Sequence, residues 1–343
     1  MGTAGSIPVA DDRLVRLEGW LVAELGLAVR SLEAIANDAS FRRYFRVHSA
    51  RKTWIAMDAP PAHEDCEPFV RVAKLLRQAG VNAPVVLARE PAQGFLLLSD
   101  LGRESYLDAV ARIDAEPLFR DAIDALIRWQ AASEPGRLPS YSRELLQTEL
   151  DLFPDWYLAR HLELELSATE RDEWREIRAR LIDSALAQPA VYVHRDYMVR
   201  NLMVCEPNPG VIDFQDAVYG PVTYDVVSLL RDAFISWEPA LEARWLRYYR
   251  TRARLEGIPI PADDEELERA LDWMGLQRHL KVIGIFARLY YRDGKPEYLA
   301  EVPRFFGYVR QTAARYPELG ALRALLSALQ RRQQPGKPMP CGL

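Results

Sequence analysis

Residues 193–225, VHRDYMVRNLMVCEPNPGVIDFQDAVYGPVTYD, constrain this chain more than any other stretch. His194-Arg195-Asp196 is followed by Asn201 in an H-x-D-x-x-x-x-N spacing, and Ile212-Asp213-Phe214-Gln215-Asp216 comes shortly after. Residues 190–193 (AVYV) read as an apolar strand feeding the first motif. Residues 201–204 and 211–214 read as two strands joined by the turn EPNPG at 206–210. Such a hairpin brings Asn201 and Asp213 to the same end of a sheet, with Asp196 in the loop just before.

Three oxygen-bearing side chains converging in this way suit chemistry at a polyphosphate. An aspartate orients or deprotonates the attacking hydroxyl, and hard oxygen ligands hold Mg²⁺ against the phosphates. Asp196 fits the first role; Asn201 and Asp213 fit the second. Isolated H-x-D pairs are common, and Asp or Asn near turns mostly act as turn residues or helix caps. Here the chain has five histidines, one falls in register with Asp196 and Asn201, and the second carboxylate follows across the expected hairpin.

HRDYMVRN resembles the catalytic loop of the aminoglycoside phosphotransferase/choline kinase family, relatives of the protein kinases. IDFQD resembles that family's metal-binding segment, which replaces the protein-kinase D-F-G. The run GVIDFQDAVYGPVTYDVVSLLRD is similar to that of the anomeric amino-sugar kinases of bacterial cell-wall recycling, which phosphorylate N-acetylmuramate and N-acetylglucosamine at the C1 hydroxyl. The resemblance implies an α+β, protein-kinase-like two-lobed fold. It places a small antiparallel-sheet N-lobe at 1–98, a hinge at 99–102, a large mainly helical C-lobe at 103–332 and a flexible tail at 333–343. ATP and Mg²⁺ are the implied cofactors and an amino sugar the implied acceptor. Asp225 is implied to tie down the catalytic loop, and the same residue reads as an N-cap. His194 and Asp216 are expected to support the site.

In the first lobe, residues 12–27 have the leucine spacing of an amphipathic helix. Strands are expected near 32–36, 44–47 and 52–57, with Asn37-Asp38-Ala39-Ser40 as the first turn. In kinases that turn lies over the nucleotide phosphates, which implicates Ser40 and its neighbouring N–H groups. The chain departs from the wider family at the third strand, where Ile55-Ala56-Met57 stand in place of a phosphate-binding lysine. Arg43 and Arg46 are the cations at hand, but alternation puts them on opposite faces of the strand; Arg43 is taken as the nucleotide contact. Residues 64–79 read as a helix with Glu67 on a solvated face. The hinge backbones of Ser99 and Leu101 are the expected adenine contacts.

The second lobe is expected to be helical at 116–132, 143–166 (with Pro154 kinking or restarting it), 167–187, 222–234, 239–256, 263–283, 296–316 and 317–332. Ser167-Ala168-Thr169-Glu170 is a capping box. The segment around Glu149 and Trp156 resembles the substrate-side helices of the sugar kinases, so Glu149 is a candidate for sugar hydroxyls and Trp156 for the pyranose face. The alternative is that Trp156 fills core and Glu149 is solvated. Arg195 and Arg200 flank Asp196 and suit a phosphate or an acidic substrate, or else ion pairs with Asp216 or Asp225. Arg278, His279, Lys281 and Arg288 are further candidates for an anionic group.

Composition removes other classes. A net charge of −5 over 343 residues offers no basic surface for nucleic acid. The three cysteines lack C-x-x-C spacing, so neither a zinc site nor a disulfide framework is expected and a reducing cytoplasm fits. No secretory signal or membrane span is expected, nor an obligate protein partner. Two rival readings remain. One is a kinase of an aminoglycoside or amino alcohol; a polycationic aminoglycoside would call for a carboxylate-rich site, whereas the acidic run 263–268 reads as a helix start. The other is a nucleotide-binding pseudokinase, suggested by the missing lysine and opposed by the intact Asp196, Asn201 and Asp213.

Overall fold

The structure is a computed structural model that describes residues 11–35 and 41–332. The expected turn at 37–40, including Ser40, and the tail at 333–343 lie outside the described residues.

Alternating side chains build the first sheet. Five antiparallel strands, β1 (Ser31–Ile35), β2 (Arg43–His48), β3 (Thr53–Asp58), β4 (Val86–Glu90) and β5 (Phe95–Ser99), lie in the order β1-β2-β3-β5-β4. Phe45 pairs with Ala56 and Ala56 with Leu97, so one face collects Phe45, Val47, Trp54, Ala56, Phe95 and Leu97. On this face packs α1 (Asp12–Gly19), which continues as a single π-helical stretch (Trp20–Glu24), through Leu17, Trp20 and Leu21. Asp11 caps α1 by accepting from the N–H groups of Arg13 and Leu14. The glycine of the β4–β5 turn is obligatory, because a Cβ on Gly94 (φ +73°) would sit 1.9 Å from the Ala59 carbonyl oxygen.

These strands form one compact unit, comprising the described residues up to Lys74 together with Ala83–Gly102; the division falls inside α2 (Glu67–Gln78). The second unit, Leu75–Asn82 and the described residues from Arg103 on, is mainly helical. In order it carries α3 (Tyr106–Ala109), α4 (Ala115–Ala131), α5 (Arg143–Leu152), α6 (Ala168–Leu186), β6 (Ala190–Val193), β7 (Leu202–Met203), β8 (Gly210–Val211), β9 (Val218–Pro221), α7 (Tyr224–Leu230), α8 (Pro239–Leu255), α9 (Asp264–Asp293), α10 (Val302–Arg315) and α11 (Gly320–Arg331). The capping box at Ser167 and Glu170 forms at the start of α6. No helix among the described residues is long and apolar enough to cross a membrane.

At Pro154 the stretch restarts: α5 ends at Leu152 and the chain runs on as a π-helix, Phe153–His161, with the proline in its first turn, where a missing N–H is tolerated. Two expectations are corrected here. Helix α9 does not stop near Ile283: Phe286, Ala287 and Leu289 keep its buried stripe going, and Gly294 in the left-handed conformation ends it. The hairpin strands are shorter than the apolar runs suggested, with Asn201 at the end of a 3₁₀ turn (Val199–Asn201) and Asp213 beyond β8.

Candidate active site

Strand β6 pairs antiparallel with β9 and delivers the chain to His194. Two buried carboxylates fasten the loop that follows. Asp225 accepts the His194 N–H at 2.6 Å and the Arg195 N–H at 3.0 Å. Asp232 accepts the Val199 N–H at 2.9 Å and the Phe234 N–H at 2.8 Å. Both have no exposed surface. Burial pushes the Asp225 carboxyl up to about 7, against the two N–H bonds that favour its charged form. The N-cap position of α7 is Thr223, whose hydroxyl makes no capping bond and donates to Gln188 instead, and Asp225 sits in the first turn. The expected N-cap role of Asp225 is therefore corrected: its carboxylate is turned to the loop instead.

His194 is a latch within the same loop. Its Nδ1 accepts the Asp196 N–H at 3.3 Å, so its Nε2–H donates to the Ile212 carbonyl at 3.1 Å. Burial holds the ring at about 4, well below the usual histidine range, which keeps it neutral at pH 7. The latch thus joins Asp196 to the residue before Asp213.

Asn201 completes the arrangement. Its Nδ2 donates to the Asp196 carbonyl at 2.9 Å and to Asp213 Oδ2 at 3.3 Å, while Ile212 N–H donates to the Asn201 carbonyl at 3.1 Å. The hairpin therefore does bring Asn201 and Asp213 together. Gln215 donates to Asp213 Oδ1 at 2.9 Å. Arg195 (φ +76°) and Asp213 (φ +64°) both occupy the left-handed region, a conformation unfavourable for non-glycine residues by about 1–3 kcal/mol each and concentrated at functional sites. Asp213 and Asp216 are exposed.

Arg195 turns away from both Asp216 and Asp225 carboxylates. It donates to the Asp216 carbonyl at 3.3 Å and forms an ion pair with Glu149 of α5. Glu149 is buried and receives three more donors: Lys281 Nζ at 2.9 Å, Gln277 Nε2 at 3.1 Å and the Tyr141 hydroxyl. Burial alone would raise the Glu149 carboxyl; Lys281, Arg195 and Tyr141 outweigh it and bring it down to about 2. The solvated alternative for Glu149 does not hold, and every oxygen it has is already engaged inside the protein. Trp156, on the π-helical stretch, is partly exposed, between the buried Phe153 and Tyr157. Arg200 lies over the Phe234 ring (4.7 Å) and donates to the Tyr298 hydroxyl at 3.3 Å.

In the sheet-bearing unit, Arg43 pairs with Asp58 (Nη2–Oδ2 2.5 Å) and with Asp11. It lies on the α1 side of the sheet, its charge neutralised by two carboxylates. Arg46, on the other face, pairs with Asp100 at 2.7 Å and donates to the Gly102 carbonyl at 2.5 Å. The Ser99 N–H donates to the Val85 carbonyl at 2.9 Å, within the strands, whereas Leu101 lies beyond the end of β5. Glu67 pairs with Arg89 on the exposed surface at 3.0 Å. Sequence reasoning missed Asp232, whose only signal is an aspartate closing an apolar helix, and Gln277, which is 128 residues from its partner.

A sequence profile of the phosphotransferase enzyme family matches residues 31–258, and the chain belongs to that family. An N-acetylmuramate/N-acetylglucosamine kinase of Pseudomonas aeruginosa is 53% identical over 330 residues, covering 93% of this chain and 97% of that protein. The protein of the same name from Neisseria meningitidis is 46% identical over 323 residues, covering 93% and 96%. Among solved structures, a choline kinase from Streptococcus pneumoniae aligns over 88% of this chain and 99% of its own, with a TM-score of 0.62 at 12% identity. An ADP-bound aminoglycoside phosphotransferase aligns over 89% and 99%, with a TM-score of 0.58 at 14% identity. The fold is thus kinase-like, and the protein is a phosphotransferase enzyme.

Proposed function

We propose that the protein is an ATP-dependent sugar kinase that transfers a phosphoryl group to the anomeric hydroxyl of N-acetylmuramate and N-acetylglucosamine. The observation that carries this reading is the fastened loop. Asp225, Asp232 and the His194 latch fix Asp196 beside the Asn201–Asp213 pair, in a chain that is 46–53% identical to kinases named for these two sugars.

Asp196 is the group that accepts the hydroxyl proton and aims the oxygen at the phosphoryl group. An anomeric hydroxyl is more acidic than an ordinary alcohol, so proton removal is the smaller part of the task. Positioning and neutralisation of charge carry more of it. Asn201 and Asp213 fit Mg²⁺: one exposed carboxylate and one amide oxygen, with the Asn201 nitrogen already engaged, are the sparse hard-oxygen set this ion takes when phosphates and water supply the rest. Bound there, the ion would neutralise phosphate charge. His194 stays neutral and preserves the loop without competing for the proton. Arg195 and Lys281 share the single negative charge of Glu149, so this cluster keeps one positive charge that suits a phosphoryl group or an acidic acceptor. In this reading the product is a sugar 1-phosphate, and the proposed setting is the recycling of peptidoglycan sugars in the cytoplasm.

The test is ATP consumption by the purified protein with Mg²⁺ and N-acetylmuramate, N-acetylglucosamine, their 1-O-methyl glycosides or kanamycin. Turnover with the free sugars but not with the glycosides is expected. Turnover of the glycosides would refute the anomeric assignment, and turnover of kanamycin alone would refute the sugar.

A further inference from the structure

Helix α9 carries two cationic groups, Lys281 and Arg288, on one stripe, and of these two only Lys281 is ion-paired among the described residues. Gln277 and Lys281 reach Glu149 on α5, and Gly284, a turn later, lies so close to α5 that a Cβ there would be 2.3 Å from the Leu152 carbonyl carbon. Further along, Tyr291 contacts His161 at 3.3 Å. Arg288 is four residues past Gly284 and seven past Lys281, on the same stripe of the helix. Its level falls between those two contacts, alongside the π-helical stretch that carries Trp156. Lys281 and Arg288 are separated by about 10 Å of helix axis.

The other basic groups of this region are either engaged or uncharged. Lys281 is bound to Glu149 and to the Tyr224 hydroxyl at 2.9 Å. Arg278 is almost fully buried, and its charge acts on Asp225 and Asp232. His279 is caged by Phe305 and Tyr308 and held neutral by burial. Arg288 differs. It is half-buried, and its Nε is buried without a hydrogen-bond partner among the described residues. The charges that reach it are Arg292, which repels it, and Asp293, which is already bidentate to Arg292 at 2.8 and 2.9 Å. A guanidinium does not lose its proton under these conditions. A partly desolvated cation without an anion is unfavourable, and such a site is complementary to a carboxylate supplied from outside.

N-acetylmuramate differs from N-acetylglucosamine by a lactyl ether that ends in a carboxylate. We propose that Arg288 is the specificity-determining residue for the acidic sugar, receiving the lactyl carboxylate while the anomeric end of the ring faces Asp196. This inference rests on the sugar-kinase reading above. It explains how one site serves both sugars: the shared pyranose is held in common, and the guanidinium adds binding for the acidic one alone.

The test is the ratio of kcat/KM for N-acetylmuramate to that for N-acetylglucosamine, measured in the wild type, Arg288→Gln and Arg288→Lys. In Arg288→Gln the ratio is expected to fall about 30-fold, with the loss in KM for N-acetylmuramate, as for removal of a charge-assisted carboxylate contact. Arg288→Lys is expected to lie between the two, because an ammonium keeps the charge without the fork. A ratio within about twofold of the wild type in Arg288→Gln, or an equal loss on both sugars, would overturn the assignment. A wild type that phosphorylates neither sugar would refute the kinase reading itself, a different and separately visible result.

Discussion

Replacing Glu149 by glutamine probes the buried charge cluster behind the loop that carries Asp196. Glu149 is 4% exposed and faces two cations, Arg195 and Lys281, together with the Tyr141 hydroxyl and the Gln277 amide. A carboxyl group brought from 4.5 to about 2 holds its charge about 3 kcal/mol better than water does. Removing one partner of a buried pair leaves the other uncompensated, typically at about 3–5 kcal/mol. The two figures agree, so Glu149→Gln is expected to cost about 3–5 kcal/mol. For a unit of this size, 3 kcal/mol corresponds to a fall in Tm of about 6–12 °C by differential scanning calorimetry. The folded-state pKa lies below the unfolded one, so the contribution is complete above pH 4.5 and is lost as pH falls toward 2. The gap between wild type and variant is therefore full at pH 7 and narrows below pH 4.5. Lys281→Met added to Glu149→Gln removes the stranded ammonium and is expected to recover about 1–3 kcal/mol. A Glu149→Gln protein melting within about 2 °C of the wild type, or a double variant no better than the single one, would refute this account.

Two further substitutions test the burial arguments. His279 has both ring nitrogens buried without partners among the described residues and stacks on Tyr308 at 4.8 Å. His279→Phe is expected to stabilise by about 1–3 kcal/mol at pH 7.5. Its advantage should grow as pH falls below 6.5, where the unfolded wild type gains a proton that the folded ring refuses; urea denaturation at pH 7.5, 6 and 5 reads both, and a variant less stable at every pH contradicts them. Asp232→Ala strands the Val199 and Phe234 N–H groups. It is expected to cost about 2–4 kcal/mol and to lower kcat more than it raises KM, because it loosens the end of the loop next to Asn201.

What the sequence disclosed was local. Asp196, Asn201 and Asp213 lie within 18 residues, and strand–turn–strand patterning is enough to bring Asn201 and Asp213 together. The alternation that put Arg43 and Arg46 on opposite faces of β2 also holds, and the cross-strand pairing of Arg43 with Asp58 was available to the same reasoning. Long-range electrostatics were not legible. Nothing near Glu149 in the chain announces Lys281, and without that ion a buried glutamate on an amphipathic helix looks like a solvated one. Asp225 was read both as a cap and, from the resemblance, as the anchor of the loop; an aspartate at a helix start satisfies the capping pattern, but its carboxylate goes to the N–H groups of His194 and Arg195. The proline after Leu152 argues in sequence for a kink or a restart, but not for the π-helical form that follows.

The measurement that bears most directly on the account is the kcat of Asp196→Asn with ATP, Mg²⁺ and N-acetylglucosamine. Asparagine keeps the size of the side chain and the loop's backbone bonds but cannot take the hydroxyl proton. The variant is expected to melt with the wild type and to lose about 10²–10⁴-fold in kcat. A folded Asp196→Asn enzyme turning over within about tenfold of the wild type, less than the removal of a catalytic base allows, would contradict the assignment of Asp196 and the mechanism built on it.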